Sequence, residues 1–358
     1  MKILNHCTWL ACLVAANISA QTQTVDVVVP ANRDCTLYEN STGLLSNGGG
    51  GLFLGNNGQG LERRILLGFD VASVVPLGAY VVTVELSYTI EASQDSQLRD
   101  VAVHRVTSDW GEGSNVAPGN GGAGGFAQSG DSTWMHRHWP LLPWGTAGGD
   151  IQYWPGAISQ MADSGTMRIS TTTPLVDDVQ GWITGRVPNY GWLLRTTDNS
   201  PATARRIFSR ESGNASTVPQ LKITYVPPGT AMSVGGGCMG SNGLEFTQNI
   251  GGAPIGGTAI TVGMSGGQGN GLGVTLIGLR IAANPYHLEG DCSLFLMPTE
   301  WMSFGWRFFN SSGTVSDTYT IPADPNLNGA VWALQSLCFD DGVQRGYVLS
   351  NAHLLVFR

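Results

Sequence analysis

The chain has 358 residues, of which 42% are apolar and only 12% charged, and its formal net charge is −8. That length allows two domains that each bury a core, while an acidic surface almost free of lysine repels phosphate backbones and argues against nucleic acid as a partner. Glycine contributes 50 residues with no three-residue period, which excludes collagen. The glycines cluster between short apolar runs, the pattern of turn-rich β-structure.

Residues 1–20 read as an export signal. Lys2 and His6 precede a short apolar stretch from Thr8 to Ala16, and Ile18-Ser19-Ala20 offers a small-residue cleavage site before Gln21. The stretch is too short to span a bilayer, and no later run reaches about 18 apolar residues, so no membrane span is expected. Secretion to the extracellular space or the cell surface follows as the expectation.

Beyond the signal the chain alternates strands and turns. Strands are expected at Val25–Val29, Ile65–Phe69, Tyr80–Ile90, Val101–Val106, Met167–Thr171, Trp192–Arg195 and Leu221–Val226. The richest in β-branched residues is Val81 to Tyr88, suited to a pleated, half-buried surface. One short helix is expected over Val176 to Ile183. Pro227-Pro228-Gly229 punctuates the chain and marks a domain boundary. Beyond it, strands are expected at Ala259–Met264, Gly273–Ile281, Cys292–Met297, Thr314–Ile321, Ala330–Phe339 and Ser350–Phe357. The expected fold is all-β: two jelly-roll-like β-sandwich domains in tandem, residues 21–227 and 228–358, after the signal peptide.

Past the signal lie Cys35, Cys238, Cys292 and Cys338. In an oxidising compartment four cysteines allow three pairings. Cys238–Cys292 is preferred because both fall in the C-terminal region, leaving Cys35 and Cys338 either free or stapling the two halves. No Cys/His spacing supports a zinc site.

Several motifs in residues 25–227 stand in an order that resembles the DNRLRE family, a β-sandwich group overlapping carbohydrate-binding module family ninety-six. They are Asp34-Cys35-Thr36-Leu37-Tyr38-Glu39, Arg63-Arg64-Ile65-Leu66-Leu67-Gly68-Phe69-Asp70 and Pro76-Leu77-Gly78-Ala79. Asp109-Trp110-Gly111-Glu112-Gly113, Trp144-Gly145-Thr146-Ala147-Gly148-Gly149-Asp150, Asn189-Tyr190-Gly191-Trp192 and Phe208-Ser209-Arg210-Glu211 follow. Two departures stand out: Cys35 replaces a small or hydroxyl residue, and the literal six-letter motif is absent. The resemblance implies a secreted, non-catalytic module, some of whose relatives bind anionic polysaccharide. Residues Gly237 to Gly243 and Gly342 to Ala352 more weakly resemble a terminal β-domain of secreted planctomycete-type proteins, which implies surface display.

Saccharide rings stack on aromatic faces, so Trp134, Trp139, Trp144 and Trp154 are candidates for a glycan platform, with Trp139 and Trp154 favoured because they lie in loops outside the family motifs. The competing role is that these indoles fill a core short of aliphatic residues. Asp34, Glu39, Asp109, Glu112, Asp131 and Asp150 are candidate calcium ligands, since calcium takes six to eight oxygens from carboxylates and carbonyls on neighbouring loops. Capping of turns and pairing with Arg63, Arg64 or Arg105 is the structural alternative. His136 and His138 alternate on one strand face but lack a third ligand.

Catalysis finds no support. Gly263-Met264-Ser265-Gly266-Gly267 matches a nucleophile elbow in letters only, because the glycine-rich run after it cannot start the required helix. Asp177/Asp178 and Asp340/Asp341 are adjacent and do not face one substrate as an acid/base pair must. The expected function is that of a non-catalytic protein recognising extracellular polysaccharide with calcium assistance. The alternative is a structural subunit of a matrix, envelope or appendage that contacts other copies of itself.

Overall fold

The computed structural model describes residues 23–290 and 292–358, so the expected export signal over residues 1–20 lies outside the described residues. Strand takes 45% of the chain and helix 5%, so the protein is all-β. Every named strand pairing is antiparallel, and each joins two strands from the same side of Pro228. No helix among the described residues is long and apolar enough to cross a membrane.

Before Pro228, one eleven-stranded sheet curls around the main core. Its spine is the long strand Tyr80–Ser93. That strand pairs with Gln220–Val226, Gly165–Ile169 and Arg205–Ile207. The sheet continues through Leu52–Asn56, Glu62–Gly68, Trp192–Thr196, Arg99–Arg105 and Ala157–Met161. The helix Thr173–Thr184 begins where the Thr172 hydroxyl caps the Leu175 amide at 3.3 Å and Pro174 sits in the first turn, and it ends at Gly185 with φ 69°. Its Leu175, Val179 and Trp182 join the sheet's inner core.

The strands Glu62–Gly68 and Trp192–Thr196 are buried on both faces, which explains why they read as continuous apolar runs rather than as alternation. Ile65 and Leu67 face the inner core while Leu66 faces outward, and Trp192 and Leu194 face in while Leu193 faces out. The outward residues are covered by the long irregular segment between Val106 and Ile151, which contributes Trp110, Trp134 and Trp144 to a second apolar cluster with Cys35, Leu37, Leu66 and Leu193.

After Pro228, a five-stranded sheet runs in the order Thr230–Val234, Tyr347–Val356, Val331–Phe339, Leu272–Gly278 and Trp301–Phe308. A three-stranded sheet of Thr247–Gly251, Ala259–Ser265 and Val315–Thr320 lies with it, as does the hairpin of Ile281–His287 and Ser293–Leu296. Cys238 and Cys292 form a disulfide inside a cluster with Phe246 and Phe309. Cys35 and Cys338 are both buried and unpaired, in separate clusters, so they do not staple the halves. The halves meet instead through apolar contact: Val226, Tyr80 and Val82 share a cluster with Val274, Leu276, Leu354 and Val356.

Candidate functional site

The strand Arg99–Arg105 positions the most exposed aromatic pair of the N-terminal half. Gln152 donates its amide to the Arg105 carbonyl at 2.9 Å, and Gly156 donates to the Val103 carbonyl at 2.7 Å. Five residues of chain, 152–156, are thus anchored against three of the strand, 103–105, and the surplus bulges outward. Tyr153 and Trp154 occupy that bulge, 79% and 73% exposed, in edge-to-face contact with ring centroids 4.9 Å apart. Both ends of the bulge are pinned, so the indole is displayed with little freedom left to lose on binding.

Beside Trp154 opens a cleft of about 420 Å³ whose polar wall is Arg105, Gln152, Asp177, Asp178 and Arg186. Arg105 Nε lies 2.9 Å from Asp178 Oδ1, and its Nη2 donates to Gln152 Oε1 at 2.8 Å. Arg186 donates to the Asp177 carbonyl at 3.1 Å. Trp192 Nε1 donates to Asp178 Oδ2 at 2.9 Å. Burial pushes the Asp178 carboxyl up from its ordinary range, against the lowering effect of the Trp192 hydrogen bond and of Arg105. Two cations and two carboxylates thus line one wall, next to an apolar ring: an arrangement of fixed donors and acceptors suited to hydroxyl or carboxylate groups.

The other candidate tryptophans divide. Trp134 and Trp144 are only 8% and 6% exposed, which corrects their expected place in a platform. Arg64 lies over the Trp134 ring at 4.6 Å, and Trp144 Nε1 donates to the Thr133 carbonyl at 2.9 Å. Both indoles cover the outer face of the sheet, the filling role that a glycine-rich chain needs from its large side chains. Trp139 is half-buried, and its amide donates to the Asp131 carbonyl at 2.7 Å.

The candidate calcium ligands also divide. Glu39 accepts the Glu62 amide at 2.7 Å. Asp109 pairs with Arg33 at 3.0 Å and lies 3.6 Å from His138 Nε2. Asp131 accepts from Ser46 Oγ at 2.6 Å and from the Gln128 amide at 2.8 Å. Asp150 closes its turn by accepting the Gly145 and Thr146 amides at 3.1 and 2.8 Å. These four do not converge on one point, a correction to the expected ligand set: each is engaged by backbone amides, a hydroxyl or an arginine. Asp34 and Glu112 do converge, and they are joined by Glu211, whose ligand atoms lie within 4.8 Å of theirs. The sequence offered Glu211 only as part of a motif, because its proximity arises through strand pairing across the length of the half. Burial pushes the Asp34 carboxyl well above the usual carboxylate range, and the charges of Glu211 and Glu112 add to this against the hydrogen bond from the Arg210 amide.

His136 and His138 share a short strand but gain no third ligand among the described residues. The segment Gly263-Met264-Ser265-Gly266-Gly267 runs along the strand Ala259–Ser265 into a turn, with no helix following. Asp340 staples a turn by accepting the amide and hydroxyl of Ser241 at 2.8 and 2.6 Å.

Neither a scan against protein-family models nor a comparison with curated proteins finds a match to this chain. Three residues at the site, Gln152, Tyr153 and Arg186, stand outside the motifs that the sequence offers. Tyr153 was signalled by its place beside Trp154, between the Gly148-Gly149 turn and Pro155. Arg186 carried no such mark, since it reaches the cleft only because the helix Thr173–Thr184 docks beside it.

Proposed function

We propose that this is a secreted, non-catalytic binding protein that recognises extracellular polysaccharide at the Tyr153–Trp154 bulge. The observation that carries this reading is the 73% exposure of Trp154 on a bulge pinned at both ends, beside a cleft walled by fixed charged groups. A pyranose ring presents a face of C–H groups to an indole and a rim of hydroxyls to neighbouring polar side chains. Arg105 and Arg186 would receive the hydroxyls or carboxylates of the sugar at that rim. The Cys238–Cys292 disulfide is in keeping with an oxidising compartment.

The test is retardation of the purified protein in native gels cast with individual polysaccharides, with Trp154→Ala run alongside. Retardation by at least one polysaccharide that Trp154→Ala loses supports the reading. Absence of retardation across neutral and anionic polysaccharides sinks it.

A second reading, a subunit that packs against its own copies, is favoured by the C-terminal edge strand. Among the described residues Trp301–Phe308 pairs only with Leu272–Gly278, and along it Met302, Trp306 and Phe308 are 68%, 53% and 75% exposed. An edge strand with open backbone groups and a large apolar surface is a template for pairing with another chain. Concentration-dependent mass in analytical ultracentrifugation would support this reading, and a monomer at every concentration would remove it.

A further inference from the structure

Outside the saccharide cleft, three carboxylates from distant parts of the chain meet, and one of them has a buried oxygen without a partner among the described residues. Asp34 lies in the strand Arg33–Tyr38, Glu112 just beyond Trp110, and Glu211 in the single turn Arg210–Ser212. Each offers an oxygen within 4.8 Å of the other two. Two oxygens bound to one calcium ion at about 2.4 Å each lie at most about 4.8 Å apart, so the spacing is that of a common ligand sphere.

The cluster is not fully neutralised by the protein. Among the described residues Arg210 is its one cation: Nε is 2.6 Å from Glu112 and 3.0 Å from Glu211, and Nη2 donates to Glu112 Oε2 at 2.9 Å. Arg33, next in sequence to Asp34, is instead engaged with Asp109 at 3.0 Å and stacked on Trp110. Three carboxylates against one guanidinium leave an excess of two negative charges. Asp34 makes this acute, because its side chain is fully buried. Its Oδ2 accepts the Arg210 amide at 2.8 Å, while Oδ1 has no hydrogen-bond partner among the described residues. A buried carboxylate oxygen without a donor is costly, and proteins resolve it with a proton or a cation.

We infer that Asp34, Glu112 and Glu211 form a calcium site that ties the outer covering segment to the sheet. The all-oxygen donor set selects a hard cation and disfavours zinc or copper, which prefer nitrogen and sulfur. Three carboxylates supply up to six oxygens, and water completes the sphere. The bound ion would join a strand near the N-terminus to segments 78 and 176 residues further on, to judge from the existing hydrogen bonds of Asp34 to Glu112 and Arg210. This site is distinct from the saccharide cleft, and its standing does not depend on that reading.

The experiment is thermal unfolding of the full chain, freed of metal by chelator and then titrated with calcium, magnesium or terbium. Calcium in hundredfold excess over its dissociation constant is expected to raise Tm by at least about 4 °C, reversibly with chelator, and magnesium by less. Terbium is expected to show luminescence sensitised by Trp110. Asp34→Asn is expected to abolish both responses, and Glu211→Gln to weaken calcium binding at least about tenfold. Should Asp34→Asn fail to fold, Glu211→Gln decides, because that side chain lies at the surface. A wild-type protein that responds to neither ion overturns the inference. So does a calcium response of full size in Glu211→Gln, which would place the ion elsewhere. If Asp34 simply carries a proton, Asp34→Asn will match the wild type in stability and neither will respond.

Discussion

The two halves of the molecule treat their aromatic residues in opposite ways. Before Pro228, large rings are sealed beneath arginines: Arg33 lies 4.3 Å over Trp110, Arg63 is 4.9 Å from the Tyr38 ring, and Arg64 is 4.6 Å from Trp134. Those guanidiniums are in turn held by acidic partners or carbonyls, as Arg33 is by Asp109 and Arg64 by Glu62. After Pro228, Trp306 stacks on Phe339 with planes 7° apart and Phe304 packs near Tyr319, yet Trp306 and Phe339 remain 53% and 43% exposed. The difference teaches where to look for partners. In the N-terminal half an exposed indole is an exception and marks a site, whereas in the C-terminal half exposed rings recur along the strand Trp301–Phe308.

The comparison can be broken first in the sealed half. Trp134→Ala removes a ring that fills the outer cluster and the surface on which Arg64 rests. It is expected to cost about 4 kcal/mol in urea unfolding, while Trp154→Ala changes stability by less than about 0.5 kcal/mol. Equal effects would mean that burial does not separate the two indoles.

The C-terminal half relies on its disulfide where the N-terminal half relies on packed rings. Cys238 and Cys292 are 54 residues apart, and closing a loop of that length is worth up to about 4 kcal/mol in the chain-entropy account. Replacing both by alanine is expected to cost roughly 3 kcal/mol, below that ceiling because the unfolded chain is not a free coil. No change in the urea midpoint would show that the bridge is incidental.

Acid sharpens the contrast. Burial pushes His353 down to about 4, so the folded protein holds this imidazole neutral. In the unfolded chain it titrates near 6.5. The unfolded state therefore takes up a proton first as pH falls. Stability is lost from about pH 6.5 downward, and the loss is complete near pH 4, at about 3 kcal/mol. Melting curves across this range should be flatter for His353→Gln than for the wild type. Identical slopes would contradict the burial argument.

The smallest stability effect is expected on the open edge. Phe308→Ser should leave unfolding within about 0.5 kcal/mol, since that ring is 75% exposed. Any self-association of the chain should weaken with it.

How much of this was legible in the sequence depends on local regularity. The strand Tyr80–Ser93 was legible because Val81, Val84, Leu86, Tyr88 and Ile90 all turn to the core. The strand Trp301–Phe308 was not. Gly305, with φ 75°, sits at a register shift where Val274 pairs with Trp306 and Thr275 with Phe304, and such a bulge breaks the two-residue period. The disulfide followed from simple proximity along the chain. The acidic cluster was half legible: Asp34 and Glu112 carried the chemistry, but Glu211 joins them only through the folded sheet. Trp134 and Trp144 were misplaced because the sequence does not disclose that the Val106–Ile151 segment folds over a second apolar face.

The most direct test of the central claim is fluorescence titration of the wild type, Trp154→Ala and Trp139→Ala with the polysaccharide that retards the protein most. The account predicts saturable binding in the wild type and in Trp139→Ala, with at least about tenfold weaker binding in Trp154→Ala, the loss of a stacked ring being worth about 1.4 kcal/mol or more. Unchanged affinity in Trp154→Ala would place recognition elsewhere on the molecule and contradict it.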